Sequence, residues 1–145
     1  MEHRMSNQKK YGTLVYIGRF QPLHNVHAEI IERACHLADE LIIIVGSAEQ
    51  PRTTKNPWTF VERRMMISNV LDELDIADTD CVVSVQPNID TKYNDNAWIE
   101  RVQTIVRGTK MSSGKIGIIG HKKDDSTSTY LDMFPQWELE DVGML

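Results

Sequence analysis

The sequence has little of what marks secreted, membrane-spanning or nucleic-acid-binding proteins. Its two cysteines, Cys35 and Cys81, show no C-x-x-C spacing, and no signal peptide precedes them, so both are expected to be reduced thiols. No apolar run approaches the roughly 18 residues of a membrane span. The formal net charge of −5 argues against a basic face for nucleic acid or anionic lipid. We therefore expect a cytoplasmic protein without a nucleic-acid or membrane partner.

The chain also lacks the length for two ordinary cores. Its 145 residues are 41% hydrophobic, which is enough to bury one core of common size. Residues 1–10, "MEHRMSNQKK", are mostly polar and predict a loosely held N-terminal tail. We therefore predict a single domain over residues 11–145.

Apolar periodicity predicts strands that alternate with helices. Thr59 and Glu62 have capping-box spacing, so the second helix is expected to begin there, with Met66, Val70 and Leu74 on its apolar side. The predicted strands cover residues 13–17, 41–47, 81–85, 115–120 and 137–142, and the predicted helices run over about 26–38, 59–74 and 96–107. This order predicts an α/β fold, a doubly wound parallel sheet with helices on both faces.

The stretch "GRFQPLHNVH" at 18–27 directly follows the first predicted strand. In open α/β sheets, ligands bind beyond the carboxyl ends of the strands, where the strand order switches. His24 and His27 lie one helical turn apart and can face one anion, and Arg19 adds a permanent cation. If Asn25 caps the first helix, free N–H groups point into the same crevice. The pattern therefore predicts a polyphosphate site at this edge of the sheet.

At these residues the sequence resembles a known family. The stretch is similar to the phosphate-binding motif of the HxGH nucleotidyltransferase superfamily. "YIGRFQP" followed by H-x-x-H is most similar to archaeal-type nicotinamide mononucleotide (NMN) adenylyltransferases, including those fused to a Nudix hydrolase. The resemblance continues through "NPWTFVERRMMI" at 56–67, "YNDNAWIERV" at 93–102 and "GHKKDDSTSTYLDMFPQW" at 120–137. It covers most of the chain and implies a Rossmann-like nucleotidyltransferase fold.

The resemblance implies formation of NAD and pyrophosphate from ATP and NMN. The NMN phosphate would attack the α-phosphorus of ATP in line, without a covalent enzyme intermediate and with Mg²⁺ accompanying ATP. By motif, His24, His27 and Arg19 would be catalytic. Trp98 would stack on nicotinamide, Asn94 and Asp95 would hold the NMN ribose or amide, and Arg52 would contact a phosphate. The full expected substrate-binding set is Gly18, Phe20, Gln21, Arg52, Asn94, Asp95, Trp98, Gly120 and His121. Related enzymes commonly assemble, so a homo-oligomer is a further expectation.

Two departures from the family pattern bear on these expectations. Val26 stands where the HxGH pattern has glycine, and a β-branched side chain takes up space beside the phosphate. The chain also reaches Leu145 without the later ISSTxxR-like segment, whose arginine helps to bind ATP in the family. Either the sequence is a truncated chain, which lacks this segment and a Nudix domain, or another group in the chain binds ATP in place of that arginine.

Several alternatives remain open from sequence alone. The acceptor could instead be phosphopantetheine or another phosphorylated small molecule, or the chain could be a catalytically weak nucleotide-binding module. Two histidines at i and i+3 can share a metal, but no third ligand is near in sequence, so no metal site is predicted. Trp98 fits a core position as well as a ring-stacking one. At least two of the charges Arg52, Lys55, Arg63 and Arg64 are expected to be solvated.

Overall fold

Five strands and three helices make up the described part of the computed structural model, which covers residues 9–48, 52–54, 57–88, 95–121 and 131–143. The strands are β1 (Tyr11–Gly18), β2 (Ala38–Val45), β3 (Val82–Pro87), β4 (Ile116–Gly120) and β5 (Glu138–Asp141), and the helices are α1 (Asn25–Leu37), α2 (Phe60–Glu73) and α3 (Asp95–Thr109). A short 3₁₀ helix spans Ala77–Thr79. Every predicted element is present, and no boundary differs by more than three residues.

The strands form one parallel sheet in the order β3-β2-β1-β4-β5. In register, Leu14 of β1 lies opposite Leu41 on one side and Gly117 on the other. The chain moves outward from β1 to β3 and then returns to the far side of β1 to build β4, so the strand order switches between β1 and β4. The predicted parallel sheet is confirmed, and a ligand site is expected at this switch.

Helices cover both faces of the sheet, as predicted. On one face α1 and α2 pack over β1 and β2, and the buried side chains there include Leu14, Ile31, Leu41, Ile43 and Ile67. On the other face α3 packs over the alternate side chains, including Val15, Ile42, Ile44, Val102 and Val106. Because neighbouring strand residues point to opposite faces, the continuous β-branched run of β2 is buried on both sides.

No loop separates α1 from β2, because helix residue Leu37 is followed directly by strand residue Ala38. The strand was predicted to begin at residue 41, after the polar residues Asp39 and Glu40. Glu40 is nevertheless buried, and its Oε1 accepts hydrogen bonds from the backbone N–H groups of Met111 (2.9 Å) and Ser112 (3.1 Å). The carboxylate is therefore satisfied by the turn that follows α3.

The predicted apolar side of α2 is only partly buried. Met66, Val70 and Leu74 are all half-buried, with Leu74 packed against the core. The fully buried residues of the helix are Arg63 and Ile67. The capping box at the start of α2 is confirmed. The Glu62 backbone N–H donates to Thr59 Oγ1 at 3.2 Å, and the Thr59 N–H donates to Glu62 Oε1 at 2.9 Å.

Lys9, inside the predicted polar tail, is anchored to the domain. Its Nζ donates to the carbonyl oxygens of Cys35 and Ala38, each at 3.0 Å, and to that of Thr79. Residues 1–8 of the predicted tail lie outside the described residues. Both cysteines are free thiols, and no described helix is long and apolar enough to cross a membrane.

Candidate active site

A cavity of about 340 Å³ opens at the carboxyl ends of β1 and β4, at the switch in strand order. Its volume lies in the range of roughly 300–1,000 Å³ that is common for small-molecule sites. The predicted site residues that line it are Gly18, Arg19, Phe20, Gln21, His24, His27, Gly120 and His121. Sequence reasoning therefore located the cavity and most of its polar wall. Val26, the departure from the HxGH glycine, is 44% exposed and also lines it.

His24 and His27 are linked through the start of α1. His24, and not Asn25 as predicted, is the N-cap residue, and its backbone N–H donates to Nδ1 of His27 at 2.8 Å. This is the third helical position, where a side chain commonly reaches back to the cap. The two rings stack with centroids 5.5 Å apart and an interplanar angle of 27°. The helix start thus holds both imidazoles together at the cavity.

His27 is held in its neutral form. Burial, and to a smaller extent the neighbouring His24, lower its pKa from 6.5 to about 4. Because Nδ1 accepts the His24 N–H, a neutral His27 ring carries its proton on Nε2. His27 can therefore donate a hydrogen bond to an anion through Nε2.

Phe20 anchors the turn that follows β1. Its ring is buried and meets Tyr16 and His27 edge-on, with centroid distances of 5.4 and 5.0 Å. Its backbone lies in the left-handed region, with φ of 52°, which is unfavourable for a bulky residue. A Cβ on Gly18 would lie 2.8 Å from Phe20 Cζ. The glycine is therefore needed so that the Phe20 ring can fold back against β1.

Gln21 connects this turn to the segment that leads into α2. Its Nε2 donates to the Trp58 carbonyl at 3.0 Å, and its Oε1 accepts from the Trp58 N–H at 2.9 Å. The peptide bond between Gln21 and Pro22 is cis. Both polar atoms of the Gln21 side chain thus have a structural role in addition to lining the cavity.

Three further residues predicted from the motif, Arg52, Asp95 and Trp98, do not line the described cavity. Arg52 donates to Glu62 Oε2 at 2.7 Å and to the Pro57 carbonyl at 3.1 Å, in an exposed ion pair. Asp95 is exposed at the first residue of α3. Trp98 is half-buried, and its ring lies 5.9 Å from that of Phe134. Asn94 and Lys55 lie outside the described residues.

His121 borders the cavity immediately after β4. Its Nδ1 is buried, and the described residues include no hydrogen-bond partner for it. Sequence reasoning could place His121 only at the right edge of the sheet. A buried ring nitrogen beside the cavity is consistent with the predicted ligand contact.

Sequence reasoning missed the buried role of Arg63 and the apolar part of the cavity. Arg63 was grouped with charges of which at least two were expected to be solvated, yet it is fully buried. Its neighbour Arg64 is exposed and lies 5.6 Å over the Phe60 ring. The missed lining residues are Tyr16, Ile17, Ile30, Ile118, Ile119 and Leu131. The alternation of β1 and β4 could have indicated some of them, because the last side chains of both strands border the switch.

The polar side chains of the cavity wall are imidazoles, a guanidinium, an amide and the Tyr16 phenol. Across the described ranges no three side chains of histidine, cysteine, aspartate or glutamate converge on one point. The wall therefore has the donors that an anion needs rather than the carboxylates that hard cations prefer.

A parallel sheet with this strand order and a cavity at its switch point defines a Rossmann-like α/β domain. The family model described as cytidylyltransferase-like matches residues 15–137. Over 136 residues the chain is 40% identical to the nicotinamide/nicotinic acid mononucleotide adenylyltransferase of Acinetobacter baylyi, covering 94% of this chain and 69% of that one. The chain belongs to the cytidylyltransferase-like family of nucleotidyltransferases, within its group of NMN adenylyltransferases.

Other relatives match only part of their own length. The nicotinamide-nucleotide adenylyltransferase of Methanoculleus marisnigri is 41% identical over 90 residues, which are 62% of this chain and 50% of that one. A bifunctional NMN adenylyltransferase/ADP ribose pyrophosphatase from Francisella tularensis has a similar structure, with a TM-score of 0.77 and 33% identity. The match covers 92% of this chain and 38% of that one. The chain thus spans about half of the archaeal relative and well under half of the bifunctional one.

Proposed function

We propose that this chain transfers the adenylyl group of ATP to NMN, giving NAD and pyrophosphate. The observation that carries the proposal is the cavity at the β1–β4 switch, where Arg19, His24 and His27 line one wall. Family membership supports the same reaction, because the relatives carry that activity in their names. A phosphopantetheine acceptor has no comparable support.

In the proposed reaction the NMN phosphate attacks the α-phosphorus of ATP, and the bond to the pyrophosphate oxygen breaks. Negative charge grows on that oxygen as it leaves. His27 donates to the phosphates through Nε2, and Arg19 provides a fixed positive charge. Donors that are held in place before the reaction stabilise such charge best, because they need no reorganisation when it develops. His24 orients His27 through the backbone contact and adds a second imidazole to the wall.

Mg²⁺ is proposed to arrive with ATP. The described cavity wall has no carboxylate set that fits a hard cation, so the ion would be held by phosphate oxygens and water. When bound, it would neutralise phosphate charge. No step of the proposed mechanism requires this chain to supply its ligands.

The acceptor side of the site is proposed to lie near the start of α3. Trp98 and Asp95 lie there, outside the wall of the described cavity. The indole ring of Trp98 is large enough to cover a nicotinamide ring, and part of its side chain remains accessible.

We further propose a cytoplasmic location, in keeping with two free thiols, and assembly of several copies, as the family resemblance implies.

Incubation of the chain with ATP, Mg²⁺ and NMN tests the function directly. NAD and pyrophosphate should appear in equal amounts, and the His24→Ala/His27→Ala variant should form neither at a comparable rate. Replacing NMN with phosphopantetheine tests the alternative acceptor. If ATP and NMN both bind in calorimetry and no pyrophosphate is released, the chain is a nucleotide-binding module and not an adenylyltransferase.

A further inference from the structure

The guanidinium of Arg63 is surrounded by backbone carbonyls, one of them from the cavity-lining residue Arg19. The residue is fully buried. Its Nη1 donates to the carbonyl oxygens of Arg19 (2.8 Å) and Gly46 (2.7 Å), and its Nη2 donates to that of Ser47 (3.1 Å). Its Nε donates to the Thr59 carbonyl at 3.2 Å, one turn earlier in the chain. One side chain of α2 therefore joins the turns that follow β1 and β2.

Both of these turns contain a residue with left-handed backbone. Phe20, directly after Arg19, has φ of 52°, and Ser47 has φ of 54°. Such a conformation is unfavourable for residues other than glycine, so it persists only where surrounding contacts enforce it. The Arg63 bonds fall on the carbonyl just before Phe20 and on the carbonyl of Ser47 itself. The guanidinium thus donates hydrogen bonds at the two points where the backbone conformation is unfavourable.

The planar guanidinium suits this task better than another cation would. It presents five N–H donors in a rigid fork, whereas a lysine ammonium is a point charge on a flexible stem. The carbonyls of Arg19 and Ser47 are reached by the two different terminal nitrogens of that fork. A lysine at this position would reach fewer of the carbonyls at one time.

We propose that Arg63 is a positioning residue for the reaction, which holds the turn after β1 in the shape that presents Arg19 to the substrate. The inference rests on the proposed function and extends it to a residue outside the cavity wall. Arg63 does not line the cavity, so it acts through Arg19 and not by touching a ligand. The link is direct, because the Arg63 bond is to the main chain of Arg19 itself.

A double-mutant cycle between Arg63→Lys and Arg19→Ala tests this inference. Arg64→Lys is the matched control, since Arg64 is the same residue type at the next position and is exposed. ATP affinity is measured by calorimetry, kcat and KM by NAD formation, and stability by thermal unfolding. We expect Arg63→Lys to lower kcat/KM for ATP by about tenfold or more in the wild-type background, but by only about threefold or less when Arg19 is already Ala.

Additive losses in the two backgrounds would overturn the inference, because they would mean that Arg63 acts independently of Arg19. If Arg63→Lys is not folded, the cycle is repeated with Ser47→Gly in every variant, since glycine adopts the left-handed turn without strain. Failure to fold in that background as well would assign Arg63 to the stability of the whole domain and would also overturn the inference.

The experiment separates this inference from the proposed function. A wild-type chain that binds ATP but forms no NAD contradicts the proposed function. In that case the ATP affinities of the four variants alone decide whether Arg63 and Arg19 are coupled. A wild-type chain that forms NAD while the cycle is additive contradicts only the role of Arg63.

Discussion

The backbone N–H of His24 donates to Nδ1 of His27 at 2.8 Å, so one contact both begins α1 and determines which nitrogen of His27 carries the proton. The side chain that accepts the His24 N–H at the start of the helix is therefore also the proposed donor to phosphate. Stability and activity should respond differently to substitutions that preserve only one of these roles.

Replacing His27 separates the two roles. His27→Ala removes both the contact to the His24 N–H and the donor to phosphate. We therefore expect kcat to fall by about 10² to 10³-fold. We expect the free energy of unfolding to fall by about 1 kcal/mol, which is the scale of a helix-capping contact. His27→Gln keeps an acceptor that can reach the His24 N–H. The Gln variant should therefore regain most of the stability but not the rate. Equal kcat for wild type and Ala would contradict the proposed role.

The lowered pKa of His27 predicts a stability loss in acid. The folded ring has a pKa of about 4, against 6.5 when unperturbed. Between these values the unfolded chain binds a proton that the folded chain does not, so the free energy of unfolding falls as the pH drops. Above 6.5 and below about 4 this group contributes no pH dependence. The melting temperature of His27→Gln, measured from pH 4 to 8, should fall less steeply than that of the wild type.

Trp98 tests the acceptor side. We expect Trp98→Ala to raise KM for NMN several-fold with little change for ATP, since an aromatic contact contributes on the order of 1 kcal/mol. Trp98→Phe is the control, because it keeps a ring beside Phe134. If the Ala variant weakens both substrates equally and melts at a lower temperature, Trp98 serves the core and not the nicotinamide ring.

Gly18 tests the packing behind the cavity. An Ala side chain there would meet the Phe20 ring at 2.8 Å, and that ring is held in place by Tyr16 and His27. We expect Gly18→Ala to cost roughly 1–3 kcal/mol of stability, as in other overpacked cores, and to reduce activity. Gly108→Ala is the control, because nothing lies within 4 Å of the added atom and alanine favours the helix. Unchanged melting of Gly18→Ala would contradict the packing argument.

Much of this architecture was accessible from sequence. Periodicity alone predicts the alternating elements, and the rule that ligands bind at strand carboxyl ends leads from "GRFQPLHNVH" to the cavity. Arg63 was beyond reach, because "ERRMMI" gives no sign of which arginine faces inward. The burial of Arg63 depends on carbonyls from two distant turns. The burial of Glu40 was equally out of reach of the sequence, since the N–H groups that satisfy its carboxylate come from residues 111 and 112.

Because Leu37 of α1 is joined directly to Ala38 of β2, no loop residue is present there to absorb an insertion. One extra residue there must either rotate α1 by about 100° about its axis or slip β2 by one position, which turns its side chains to the opposite face. The first change would swing the paired imidazoles away from the β1–β4 cleft, and the second would expose the isoleucines at the centre of the sheet. Length variation is therefore expected to be forbidden at this junction, and an alanine inserted between the two residues should abolish NAD formation.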